Sequence, residues 1–511
     1  MATGIVLAVL IGIHIDVNIN HYCAQLDADL ASDALLATVI ADNGLVKPDT
    51  WYSSSGVRTI SSPNIGAFFY KATGNMYFSL GMACTILMFV LIALMAVSYR
   101  QLGFKLYEIF SALIVLFSLS DILSENQSVL FLWAAYYVAY YIALYLMLVF
   151  YNMCIRSGKI SLWVWIVSLV VAICGGLEGL HAALYCYLPM LGIEILRLLW
   201  GLVHKEKKSL KILVWLSCNM LISLIVPMFI DSYGLGSSRN IRHAGEKFLT
   251  VVWPAMGEVV YFDIAPGVVI VLCILAAVGY IYTVAAILRG KITDGEGAAS
   301  KEGTDLLWGP LGPIASIVLV VLALTFTTRE VAPRYFFPEL FIIATGVGLF
   351  MNRFKREGLK VQPSGLVAIV VVMLGILASR YYYNGLIAGD VSSRSGEAQV
   401  AAWMQEKGYE YGYATFDNAN NITVIANNAV KIRPVNNMKD MEGCKWLADS
   451  TWYPPVKSSE GRTCYLVSEG AREDFDEFLR QRKPEIVEVT EVNRFTVYVL
   501  DHDYTVWEKQ G

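Results

Sequence analysis

The sequence predicts a polytopic α-helical membrane protein with about eleven transmembrane helices and a small external C-terminal α/β domain. Composition is the first observation: of 511 residues 56% are hydrophobic and 16% charged, and the mean hydropathy is +0.53, outside the range of soluble chains. Apolar runs near twenty residues, the length that crosses a bilayer, recur along the chain. From about residue 390 the composition reverts to that of a soluble domain. A formal charge of -4, a pI near 5.9 and the lack of long Lys/Arg blocks argue against a nucleic-acid partner. Nine cysteines without a CxxC or a Cys/His cluster give no support to zinc or haem.

Taken in order, the spans fall near 2–22, 76–97, 106–123, 129–151, 160–175, 179–203, 210–230, 259–288, 306–328, 335–351 and 364–383. The first is the least regular, because its apolar run stops at Ile15 and it holds His14 and Asp16. Read instead as a signal peptide, it lacks a basic n-region and a small-residue cleavage site. Sidedness follows from the loops. Arg100 and Lys105, Arg156 and Lys159, Lys205 to Lys211, Arg289 to Lys301, and Arg353 to Lys360 all fall on one side, which the positive-inside rule makes cytoplasmic. The N-terminus is then cytoplasmic, and the loops at 23–75 and 231–258 and the tail are extracytoplasmic. Glu194 and Arg197, three apart within the sixth span, are expected to pair.

The chain therefore divides into a membrane module, 1–383, that carries the acidic loop 23–75, and an extracytoplasmic domain, 384–511. In the tail, Val400, Trp403 and Met404 share a face of a helix over 397–407, and strand-like runs lie at 421–426, 463–467, 485–490 and 494–500. Its 14 basic and 20 acidic residues disfavour docking to anionic lipid. Cys444 and Cys464 both lie in it, on the oxidising side, where a disulfide is one outcome and two free thiols the other.

Three carboxylates, Asp27, Asp29 and Asp33, follow the first span directly. Leu30, Leu35, Leu36, Val39 and Ile40 make a helical stripe that ends at Gly44, which predicts an amphipathic helix in the membrane interface. Asp29 and Asp33, four apart, share one face. Acids in such a place can deprotonate a sugar hydroxyl or hold a cation, while helix capping and plain solvation account for them equally well. Trp51, Tyr52 and Arg58 follow in a Ser-rich stretch. Aromatic faces suit sugar rings and Arg suits phosphate, although an interfacial aromatic belt with one snorkelling Arg has the same look.

Asp27-x-Asp29-x3-Asp33, then Trp51-Tyr52-Ser53 and Arg58, resembles a group of large bacterial membrane proteins with a "DxD, acid, WYxS, LR" pattern, and the topology resembles the GT-C superfamily of integral-membrane glycosyltransferases. The motif covers roughly residues 15–80; the remainder is similar in topology alone. Gly56 stands where that pattern has an acid, and Asp33 where Glu is commoner. The resemblance implies transfer of a sugar from a polyprenyl-phosphate donor to a cell-envelope glycan or lipid acceptor on the external face, with inversion. Asp27 or Asp29 would be the general base and Asp33 an orienter or metal ligand. Members with and without Mg²⁺ or Mn²⁺ exist, so the DxD leaves metal use open; Asp29 and Asp121 are the candidate ligands.

Phosphate partners would be external basic residues near span ends: Arg58, Arg239, Arg242, and Arg329 or Arg334. The pair Arg334-Tyr335 resembles the Arg-Tyr before a late span in several GT-C enzymes, and an interfacial Arg paired with Glu339 is an equal alternative. Glu178 and His181 could line the site or simply pair with each other. Asp121 and Glu125 could contact metal or acceptor, or cap helices. Tyr136, Tyr137, Tyr140, Tyr141 and Tyr145 read mainly as bundle packing with access to the carrier lipid. A transporter or flippase of lipid-linked saccharides, or a polymerase of lipid-linked repeats, would share the carrier and the membrane setting. The first would be expected to show inverted repeats or broken helices, and the second a long external loop late in the bundle.

Overall fold

The computed structural model describes residues 1–21, 26–44, 48–53, 57, 59–124, 128–132, 135–229, 238–260, 265–289, 301–354, 362–453 and 462–506. Of the residues named above, Gly56, Arg58, Glu125 and Lys360 lie outside them. Contacts divide the chain into a helical unit, Met1–Ile15 with Thr85–Gly385, and a sheet unit, Asp16–Cys84 with Leu386–Gly511.

Among the described residues nine helices are long and apolar enough to cross a membrane, and Leu106–Leu119 and Leu162–Leu177 are shorter apolar helices. Each falls on one of the expected spans. Two ends differ. The fourth span starts as a helix only at Val138, because the chain before it turns through a left-handed Ala135 at φ 46°. The stretch read as loop 231–258 carries a helical run from Ala244 to Val259 with a π-helical turn at Phe248–Val252.

Within the helical unit, Pro266–Arg289 packs closely against Pro338–Arg353. A Cβ built on Gly279 would clash with the Gly346 carbonyl and lie 2.8 Å from Phe350 N, and one on Gly346 would lie 2.7 Å from Ala276 Cα. Small residues that let backbones approach take the place of the hydrophobic force, which lipid does not supply. Gly346→Val should therefore destabilise the protein by about 1–3 kcal/mol or more, read as a lowered midpoint of thermal unfolding in detergent. An unchanged midpoint would refute the contact.

The basic loops meet at one end of this unit. Arg156 donates to the Gln101 carbonyl, Asn352 Nδ2 lies 3.2 Å from the Gly103 carbonyl, and the Tyr282 and Phe354 rings are 5.3 Å apart. There too Glu194 and Arg197 pair as expected: Arg197 Nη2 lies 2.7 Å from Glu194 Oε1, and Arg197 Nη1 reaches Asp305 at 3.0 Å. The Tyr151 hydroxyl completes the shell of Glu194 at 3.0 Å. Two buried charges are tolerated because each is paired and hydrogen-bonded.

In the sheet unit, β1 is Trp51–Tyr52, β2 Tyr411–Thr415, β3 Lys431–Val435, β4 Ala448–Asp449, β5 Thr463–Ser468, β6 Ile486–Val492 and β7 Phe495–Leu500. Five of them make a mixed sheet in the order β3-β2-β5-β7-β6, with β2 parallel to β3 and β5, and β7 antiparallel to β5 and β6. The expected helix is present as Gly396–Lys407, and the last three expected strands are β5, β6 and β7. The expected strand at 421–426 is instead part of the helix Phe416–Ile425. Its β-branched Ile422, Thr423 and Val424 read as a strand, but a parallel β2–β3 pair needs a crossover, and this helix provides it. Cys444 and Cys464 are buried free thiols, so the disulfide alternative falls.

The helices of the first long loop also belong to the sheet unit. Ala28–Asn43 packs against Ser62–Thr73 and against Phe416–Ile425, with Asn420 Nδ2 donating to Ser32 Oγ at 2.9 Å. The expectation of an interfacial amphipathic helix is corrected here: Leu30, Leu35, Val39 and Ile40 are buried in protein, and so are Ala31, Ser32, Asp33 and Ala34. Two protein neighbours cover the stripe that was read as facing lipid.

Candidate functional site

The candidate residues form one group in each unit. In the sheet unit the Ala28–Asn43 helix positions the three acids. Asp27 is its N-cap, and its Oδ1 accepts from the Leu30 N–H at 2.7 Å; Gly44, at φ 67°, closes the other end through its N–H to the Ile40 carbonyl. Asp29 stands exposed in the first turn, where the helix dipole favours an anion. Asp33, one turn on, is 2% exposed. The three acids thus separate into an exposed cap, a second exposed carboxylate and a buried one.

Trp51 and Tyr52 are fixed as β1, antiparallel to β4 with Trp51 opposite Asp449. Thr50 Oγ1 donates to Asp449 Oδ2 at 2.9 Å and the Ser450 N–H to the Thr50 carbonyl at 2.8 Å. Trp51 is buried and meets the Trp452 ring edge-on at 5.8 Å, and the Arg433 guanidinium lies 4.2 Å from the centre of the Trp452 ring. Desolvation brings Arg433 down to about 10, so it remains a cation at neutral pH. Trp51 therefore supports a cation-bearing aromatic pair, and Tyr52 stays half-buried beside it.

In the helical unit a second group forms at the helix ends away from the basic loops. Tyr137 precedes the Val138–Ser157 helix and Tyr140 lies in its first turn. His181 precedes a π-helical turn, Ala183–Tyr187, whose extra residue per turn sets the direction of Tyr185. Tyr185, Tyr140 and His181 stack in sequence: the ring centroids are 5.6 and 5.5 Å apart and the planes 8° and 22° apart. The Tyr185 hydroxyl donates to the Tyr335 carbonyl at 2.8 Å.

Arg329 approaches the stack with Nη2 3.3 Å from His181 Nε2 and its guanidinium 5.7 Å from the Tyr335 ring centre. For Arg329 to donate, that His nitrogen must be the acceptor, which assigns the ring proton to Nδ1. The Arg329 segment is itself held. Lys247 Nζ donates to the carbonyls of Thr327 and Arg329 at 2.8 and 2.6 Å, and Thr328 N–H bonds the Ser238 carbonyl at 2.9 Å. Arg334 and Tyr335 occupy a tight turn, Pro333–Phe336, anchored by fully buried Phe336 and Phe337, and Arg334 reaches the Tyr137 hydroxyl.

Of the residues expected here, His181, Arg334 and Tyr335 come together, with Arg329 beside them. Glu178 is buried at the end of Leu162–Leu177, and Asp121, 7% exposed, closes a turn by accepting from the Leu123 N–H at 3.0 Å. Arg239 and Arg242 are exposed. Tyr140 and Tyr185 are central to the stack although the first was read mainly as packing and the second was passed over. Tyrosine crowding near residue 140 was the available signal for one; the π-helical turn that directs the other has none. Two guanidiniums, an imidazole and the half-buried Tyr140 and Tyr335 can hold a phosphate and present flat faces to a sugar or an isoprenoid, backed by the buried Tyr137 and Tyr185. Among the described residues no three His, Cys, Asp or Glu side chains converge as a metal site would need.

No protein-family model matches the sequence, and no curated protein matches it either. Solved structures do match. The crystal structure of ArnT from Cupriavidus metallidurans in the apo state aligns over 97% of this chain and 97% of its own, with a TM-score of 0.57 at 10% identity. ArnT from the same organism bound to undecaprenyl phosphate aligns over 98% and 97%, with a TM-score of 0.50 at 11% identity. At such identity the likeness is one of fold: the chain shares the fold of ArnT, a helical bundle with a small C-terminal sheet.

Proposed function

We propose that this protein is a membrane glycosyltransferase that moves a sugar from a polyprenyl-phosphate donor to a glycan or lipid acceptor of the cell envelope, with inversion. The observation that carries this reading is the grouping of Arg329, Arg334 and His181 with four tyrosines, in a chain whose fold is that of a protein crystallised with undecaprenyl phosphate. With the basic loops in the cytoplasm, this group faces the outside.

The chemistry is in-line displacement at the anomeric carbon. The acceptor hydroxyl loses its proton to a carboxylate, its oxygen bonds the anomeric carbon, and the bond from that carbon to the carrier phosphate oxygen breaks. The departing lipid phosphate gains charge, which Arg329 and Arg334 stabilise. Asp27 and Asp29 are both exposed and Asp33 is buried; Asp29 is assigned as the base because Asp27 spends an oxygen capping its helix. Tyr140 and His181, backed by Tyr185, bind the sugar or the first isoprene units. Purified protein in liposomes, given radiolabelled undecaprenyl-phosphate sugars and a panel of envelope acceptors, should release free undecaprenyl phosphate. Intact donor across the whole panel would defeat the reading.

A further inference from the structure

At the end of the helical unit where the basic loops meet lies a cavity of about 470 Å³, bounded by residues 154–160, 207–209, 211 and 212 together with Arg197 and Asp305. Six cations line it, Arg156, Lys159, Arg197, Lys207, Lys208 and Lys211, against one carboxylate, Asp305. That carboxylate is already engaged. Arg197 Nη1 lies 3.0 Å from Asp305 Oδ2, and Lys208 is ion-paired to Asp305 Oδ1. Arg197 and Lys208 have side chains only 5% and 8% exposed, so two cations are held inside the wall by the protein's own acids. Lys159, Lys207 and Lys211 stand exposed, and none of them has a carboxylate within ion-pair distance among the described residues.

Like charges drawn around one cavity repel unless an anion joins them. The apolar part of the lining says which kind of anion. Ile155, Ile160 and Ile212 are part of the wall, and Leu162, Trp163 and Leu210 beside it are exposed apolar side chains of the sort that meet lipid. A free phosphate would use the cations and ignore that surface; an amphiphile uses both. We propose that this cavity binds the phosphate headgroup of an anionic phospholipid, with Lys159, Lys207 and Lys211 as its contacts and Ile155, Ile160 and Leu210 against its acyl chains. The site is distinct from the Arg329–Arg334 group and does not depend on the transfer reading.

The test is native mass spectrometry of the full-length protein titrated separately with phosphatidylglycerol, cardiolipin and phosphatidylcholine, and with inorganic phosphate as competitor. The wild type should retain the anionic lipids at least tenfold better than phosphatidylcholine. The triple variant Lys159→Gln, Lys207→Gln, Lys211→Gln should lose roughly 100-fold of that affinity, since each lysine near a headgroup is worth about a fivefold change. Its thermal midpoint in phosphatidylcholine should stay at the wild-type value, because the three lysines lie outside the Glu194–Arg197–Asp305 network. Equal retention of anionic and zwitterionic lipid, or unchanged anionic binding by the triple variant, would overturn the proposal. Displacement of the lipid by inorganic phosphate at matching concentration would also overturn it, and would reassign the cavity to the free ion.

Discussion

Asp29→Asn should leave the protein folded and reduce sugar transfer by about 10²–10⁴-fold, the range a positioned general base supplies. The fold survives because Asp29 is exposed and its favourable interaction with the helix end is worth only about 0.3–1 kcal/mol. Asp27 is expected to respond differently. Asp27→Asn keeps a side-chain oxygen for the Leu30 N–H and should stay within a few-fold of wild type in rate, whereas Asp27→Ala should cost about 1 kcal/mol in stability. Rates and unfolding midpoints measured on the three variants separate chemistry from capping. If Asp27→Asn is the inactive protein and Asp29→Asn the active one, the roles are reversed.

The second large effect is at the phosphate group. Arg334→Ala and Arg329→Ala should each lower the rate about 10²–10³-fold, as when one preorganised donor to a developing anion is removed. Arg329→Lys should not restore it. A lysine cannot both bond His181 Nε2 and lie against the Tyr335 ring as a planar guanidinium does. Single-turnover rates with saturating donor would expose the loss; retention of near wild-type rates in both alanine variants would remove the arginines from the mechanism.

Span positions were legible because a bilayer imposes one length and one polarity on every crossing, and the contacts of Arg156 with Gln101 and of Asn352 with Gly103 bring together loops that charge alone had put on one side. The Glu194–Arg197 pair was legible for a related reason, since buried charge three residues apart has few alternatives. The surroundings of the acidic helix were not. Its apolar stripe fits lipid or protein equally, and only the distant Phe416–Ile425 helix, through Asn420 and Ser32, decides for protein. That helix was itself misread, because β-branched residues carry a strand preference that a parallel crossover overrides. Arg334 and Tyr335 were singled out by resemblance, and the fold puts them beside His181 and Arg329. Tyr185 was missed because its role depends on a π-helical turn and on a carbonyl 150 residues away.

The most direct measurement is transfer of labelled sugar from undecaprenyl phosphate in liposomes, with wild type beside Asp29→Asn. The account predicts free undecaprenyl phosphate from the wild type and almost none from the variant. If both leave the donor intact while carrying labelled lipid across the bilayer at equal rates, the protein is a flippase and the assignment of Asp29 as a base fails.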